Sequence, residues 1–194
     1  PDGSVPDDNP LGPGNPTFAL GIRNSFGLCF DPATGQLWET ENGPTEDDEI
    51  NLIEPGGNYG WPERLGPGGE PAFVDPVLNF PETIVPTGCA VSDGTLLFGE
   101  GYDGNLHVMS LPGPTEGIVA TFDGGITDIA PAPDGSIWVV TPSALYRRIA
   151  PIDALPPMPG NGEHPSGLVS GAGLVIAALL IGGLLLMRTR LLRR

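Results

Sequence analysis

The feature that most limits how this chain can fold is a recurring unit, a Pro/Asp/Gly turn followed by a short strand that carries tryptophan. It reads FDPATGQLWET at 30–40 and APDGSIWVVT at 132–141, with a weaker copy, DGTLL, at 93–97. Copies about 50 residues apart match the size of one propeller blade, about 40–50 residues in four strands. The 30 Gly and 24 Pro fit this reading, because they alternate with β-branched and aromatic residues in the manner of many short strands joined by tight turns. Strands are expected at 36–41, 49–53, 95–98, 105–110, 117–122, 126–130, 136–141 and 145–149, with a loop at 42–48 and a long Gly-rich loop at 55–69. The residues before 150 amount to about three blades, too few to close a ring. A β-sandwich is the competing architecture, but it has no need of the repeated unit. Because the chain opens at Pro1 with no initiator Met and no signal peptide, it is expected to be the C-terminal piece of a longer protein.

Charge divides the chain. There is no Lys, four of the eight Arg fall in the last seven residues, and all 24 Asp and Glu precede Ser166. So acidic a surface repels nucleic acid and anionic lipid, which excludes a nucleic-acid partner. The two cysteines, Cys29 and Cys89, lie in apolar, strand-like runs and are expected to be buried free thiols. The sequence shows no CxxC or Cys/His cluster of the zinc-binding kind.

Residues 167–187, GLVSGAGLVIAALLIGGLLLM, carry no charge and no Pro. About 20 such residues make a helix of about 30 Å, enough to span the hydrocarbon core of a bilayer. The RTRLLRR tail at 188–194 places the C-terminus on the cytoplasmic side and the acidic part outside. Residues 150–166 form a Pro-rich linker. The hydrophobic segment is expected to be a retained anchor; a sorting signal that is cut away is the alternative. The expected organisation is therefore a partial propeller at 1–149, a linker, a transmembrane helix and a short cytoplasmic tail.

Residues 21–63 carry the chemistry. Arg23 and Asn24 sit side by side at a strand end, where a guanidinium can hold a planar carboxylate through paired hydrogen bonds. About 20 residues on, the turn Asn42-Gly43-Pro44 can leave carbonyl oxygens pointing outward. With Asp47, Asp48 or Glu49 nearby, these are hard oxygen ligands suited to Ca²⁺. A solvated acidic loop and a structural turn are the plainer readings of the same residues. Trp38 and Trp138 are expected to pack between sheets, Trp61 to anchor its loop, and His107 to be an ordinary strand residue.

The run Gly21–Trp38 (GIRNSFGLCFDPATGQLW) and the run Glu41–Pro62 (ENGPTEDDEINLIEPGGNYGWP) resemble the soluble PQQ-dependent glucose dehydrogenase and glucose/sorbosone dehydrogenase family. Weaker similarity continues through IVPTG at 84–88 and TDIAPAPDGSIWVVT at 127–141. The resemblance implies an all-β fold, the C-terminal part of a six-bladed propeller. It implies PQQ held by Arg23 and Asn24, and Ca²⁺ held by the carbonyls of Gly43 and Pro44, with Asp48 beside them. The activity implied is that of an aldose dehydrogenase, in which a general-base His starts hydride transfer from a sugar to the quinone and Ca²⁺ polarises the quinone carbonyl. The hydrophobic segment at 167–187, which the resemblance does not cover, adds the expectation that it is membrane-anchored and extracytoplasmic. The sequence also departs from the family. The family's catalytic His belongs to an earlier blade, Tyr102 stands where a later blade has Lys, and GGITDIAPAPDG at 124–135 carries no Arg. These departures keep a second expectation open, a non-catalytic surface propeller that binds carbohydrate or a protein partner.

Overall fold

The structure, a computed structural model, describes residues 3–113 and 115–148. The expected linker, helix and basic tail at 150–194 lie outside the described residues, and among the described residues no helix is long and apolar enough to cross a membrane.

Eleven strands form three antiparallel sheets among these residues. The first holds β1 (Ser25–Phe30), β2 (Leu37–Glu41), β3 (Glu46–Ile53) and β4 (Leu78–Glu82), in that order across the sheet. The second holds β5 (Pro86–Ser92), β6 (Thr95–Glu100), β7 (Asn105–Ser110) and β8 (Glu116–Thr121). The third holds β9 (Asp128–Pro131), β10 (Ile137–Val140) and β11 (Leu145–Arg148). The recurring turn units read from the sequence are the first hairpin of each sheet, β1–β2, β5–β6 and β9–β10.

Three strands differ from the sequence expectation. Strand β3 begins at Glu46, so the acidic run is the start of a strand and not the end of a loop. Strands β4 and β5 do not show in the sequence pattern, because β4 (LNFPE) contains Pro81 and β5 (PTGCAVS) is built of small residues. Pro81 is tolerated because β4 is an edge strand, where a missing N–H removes no ladder bond.

The sheets pack face to face in succession, β1 and β2 against β5, then β5 and β6 against β9. Period-two alternation sends neighbouring residues to opposite seams. Leu96 and Phe98 of β6 join Cys29, Trp38, Ile50, Cys89, Val91 and Met109 in the first seam. Leu97, between them, joins Leu106, Val108, Ile126, Ile129, Ile137 and Val139 in the second. Trp38 is packed between sheets as expected, and burying each such side chain contributes about 1.5–3 kcal/mol.

The first seam is unusually close. A Cβ on Gly27 would lie 2.6 Å from the Thr87 carbonyl oxygen, so only glycine lets β1 approach β5. Cys29 and Cys89 form a disulfide across this seam, with Cα atoms 5.8 Å apart. This corrects the expectation of free thiols. Both are indeed buried, but the packing of two sheets sets them face to face. Hydrogen bonds continue the seam toward one end of the sheets, from Thr40 Oγ1 to the Thr87 carbonyl (2.7 Å) and from Asn42 Nδ2 to the Pro86 carbonyl (2.8 Å).

Candidate functional site

At that end of the seam, a cavity of about 500 Å³ opens between the first two sheets. The first sheet and its loops contribute Arg23, Asn24, Asn42, Gly43 and Pro44, and the second contributes Thr83, Val85 and Tyr102. Of the five residues to which the resemblance gives a cofactor or cation role, four, Arg23, Asn24, Gly43 and Pro44, therefore line one cavity. The fifth, Asp48, lies beneath it.

Local structure fixes each wall. Residues 18–21 run beside the Gly-rich loop, with Leu20 N–H donating to the Gly57 carbonyl, Tyr59 N–H to Leu20 and Trp61 N–H to Gly21. This pairing sets Arg23 at the mouth and brings Trp61 alongside, its ring centroid 5.2 Å from the guanidinium carbon. Trp61 is 36% exposed, so it borders the site instead of anchoring its loop in the core. The Arg23 N–H donates to Glu41 Oε1 at 2.6 Å. The Arg23 Nη1 donates to the carbonyls of Asn42 (2.8 Å) and Gly43 (3.0 Å), while its buried Nε has no partner.

The turn at Gly43 leaves no room for a side chain, since a Cβ there would sit 1.8 Å from the Glu46 carbonyl oxygen. Asp48 holds the turn from below. Its carboxylate accepts from Gly43 N–H and Thr83 Oγ1 on one oxygen, and from Ile84 and Val85 N–H on the other. With four protein donors and no solvent exposure, Asp48 braces the two walls against each other and has no free face for a cation. Val85, bonded to Asp48, has φ 58°, a left-handed conformation that costs a β-branched residue about 1–3 kcal/mol. The strain is held by Asp48 on one side and by Gly101 N–H, which donates to the Val85 carbonyl, on the other.

Beside the site, Glu39, Glu41 and Glu49 are buried around Asn51, whose Nδ2 donates to all three carboxylates at 3.1–3.4 Å. Burial, then the charge of Glu41, pushes Glu39 up to about 8, and burial pushes Glu41 up to about 7. Burial also raises Glu49. Among the described residues no group of three His, Cys, Asp or Glu is arranged to hold a metal ion, so any cation at this site must rely on carbonyl oxygens.

His107 is the one histidine among the described residues, and it lies away from the cavity. It is buried against Phe98, with its ring nitrogens facing Glu100 and Glu116. Burial alone would lower its pKa, but the two carboxylates outweigh that and hold it above the usual histidine value. It is the packed strand residue that the sequence suggested.

Thr83, Val85 and the brace role of Asp48 were not foreseen. The IVPTG run at 84–88, which Thr83 directly precedes, was the available signal for Val85, but a left-handed valine leaves no mark on a sequence.

The family described as Glucose / Sorbosone dehydrogenase matches residues 1–147. Quinoprotein glucose dehydrogenase B of Acinetobacter calcoaceticus is 54% identical over 67 residues, which cover 34% of this chain and 14% of that protein. Aldose sugar dehydrogenase YliI of Escherichia coli K12 is 30% identical over 168 residues, covering 72% of this chain and 45% of its own length. The PQQ-bound aldose sugar dehydrogenase of Streptomyces coelicolor superposes with a TM-score of 0.65 at 34% identity, covering 73% of this chain and 43% of that one. The chain thus spans less than half the length of each of these relatives.

Proposed function

The chain belongs to the glucose/sorbosone dehydrogenase family, and on that premise we propose that it is the C-terminal portion of a PQQ- and calcium-dependent aldose dehydrogenase. We read its three sheets as three blades of a six-bladed ring. The observation that carries the reading is the convergence of Arg23, Asn24, Gly43 and Pro44 on one cavity.

The residues fit an anionic, planar cofactor and a hard cation. The unpartnered Nε of Arg23 is a buried donor that a carboxylate would satisfy. The carbonyls of Gly43 and Pro44 are the oxygen type that Ca²⁺ takes, and Asp48 fixes their turn from beneath. Trp61 and Tyr102, partly or largely exposed at the cavity region, offer flat apolar surface. When bound, PQQ supplies the hydride acceptor and Ca²⁺ the Lewis acid. This chain's own part is to orient those groups and to shield one side of the site from water. A histidine proton acceptor would come from outside the described residues, because His107, the one histidine among them, is enclosed by Glu100 and Glu116.

The Cys29–Cys89 disulfide supports an oxidising, extracytoplasmic setting. Retention of 167–187 as a membrane anchor, with the C-terminus cytoplasmic, belongs to the same proposal, and fractionation of cells expressing the chain tests it. The cofactor reading is tested by titrating PQQ, with Ca²⁺ present, against Trp fluorescence. Saturable quenching at micromolar PQQ is expected, and none at that concentration rules the reading out. One observation favours a second reading, a non-catalytic carbohydrate-binding propeller: the cavity lining holds a single cationic side chain, with Tyr102 where the family has Lys. Sugar binding that needs neither PQQ nor Ca²⁺ would decide for it.

A further inference from the structure

We propose that Arg23 competes with the divalent ion for the Gly43 carbonyl oxygen, so that the anionic cofactor tightens cation binding by drawing the guanidinium away. The proposal rests on the reading of Gly43 and Pro44 as a cation cradle. Its basis is the position of one nitrogen. Arg23 Nη1 lies 2.8 Å from the Asn42 carbonyl oxygen and 3.0 Å from that of Gly43. A calcium ion takes oxygen at about 2.3–2.6 Å, so an ion on Gly43 would stand within about 5 Å of the guanidinium, like charge against like.

Three features hold the guanidinium where it is. The backbone N–H of Arg23 is tied to Glu41, Trp61 lies against the planar group, and the turn that presents the carbonyls is fixed by Asp48. One feature favours its leaving: Nε is buried without a partner, a cost that a carboxylate in the cavity would remove. A ligand carboxylate that engages Arg23 frees the Gly43 oxygen for the cation. The two ligands then support each other through one side chain, and by linkage the effect is reciprocal.

The probe is Tb³⁺ bound to the full chain, read by emission sensitised through Trp61 and displaced by Ca²⁺, without PQQ and then with it. Trp61→Phe identifies the signal from this site. Arg23→Met is expected to bind the ion at least about fivefold more tightly than the parent without PQQ, in 0.1 M and in 0.5 M NaCl alike. PQQ is expected to tighten ion binding in the parent and to leave Arg23→Met nearly unchanged. Trp61→Ala, followed by Ca²⁺ calorimetry, loosens the guanidinium without removing it and should give a gain of about twofold. Circular dichroism confirms that each variant is folded, and if Arg23→Met is not, Trp61→Ala decides the matter. Equal or weaker ion binding on loss of Arg23, a gain that vanishes in 0.5 M NaCl, or no ion binding by either protein overturns the proposal. Failure to bind PQQ while the Arg23→Met gain persists removes the dehydrogenase reading and leaves the competition standing.

Discussion

The first sheet has two faces of opposite character. The face toward the second sheet carries Gly27, Cys29, Trp38, Thr40 and Ile50, and it is sealed by close packing, a disulfide and inter-sheet hydrogen bonds. The other face carries Glu39, Glu41, Glu49 and Asn51, buried around one amide, and leaves Phe26, Leu28 and Phe30 57–66% exposed. The same strands make both faces, since residues alternate from side to side. The sealed face supplies stability and positions the two walls of the cavity. The other combines buried carboxyl groups with bare apolar surface, which is costly on its own and characteristic of a face made for contact.

If the sealed face carries the stability, truncating it should have the largest effect. Trp38→Ala is expected to cost about 3–5 kcal/mol, measured by urea unfolding, because it opens a cavity between two sheets that cannot easily close. A loss below about 1 kcal/mol would mean that the seam does not dominate. The Cys29→Ser/Cys89→Ser double variant should lose about 2–4 kcal/mol, from a bridge closing residues 60 apart. It should also weaken PQQ binding, because the disulfide ties β1, just after Arg23 and Asn24, to β5, just after Thr83 and Val85.

The carboxylate cluster on the opposite face gives an effect of intermediate size and the opposite sign. Glu39, with a folded value of about 8 against an ordinary 4.5, takes up a proton on folding. Its contribution to stability is complete below its ordinary value and is lost as pH rises through about 8. The melting temperature should therefore fall from pH 5 to pH 8, a trend to which His107, also raised, adds the same sign. Glu39→Gln isolates the first group. It should stabilise the chain by about 2 kcal/mol at pH 8 and by much less at pH 5, flattening the profile. Equal melting temperatures at pH 8 would show that Glu39 is not held protonated.

What was legible in the sequence follows the same division. The hairpin units stood out because turn chemistry is local, with Asp31 bonded to Thr34 and Asp134 to Ser136 within their own loops. Arg23, Asn24, Gly43 and Pro44 stood out because their spacing matches a long family pattern. The disulfide was not legible, since two residues 60 apart meet only through the packing of separate sheets. The brace of Asp48 was hidden for a related reason. Its partners Thr83, Ile84 and Val85 are 35–37 residues away, and the pattern that flags an acidic run cannot say whether it faces solvent or the backbone of another blade.

The smallest expected effect tests the open face most directly. Leu28→Thr/Phe30→Thr keeps strand-forming residues while removing two exposed apolar side chains. If that face is bare in the chain itself, unfolding free energy should change by less than about 0.5 kcal/mol, as for other exposed positions. Self-association, read by sedimentation, should fall in the same variant, because the contact surface has been made polar. A loss of about 2 kcal/mol or more would show that Leu28 and Phe30 are packed in solution, and the contrast between the two faces would have to be abandoned. A small loss, beside the large one at Trp38, would place this chain's own stability in its seams and leave the face of Leu28 and Phe30 open for contact.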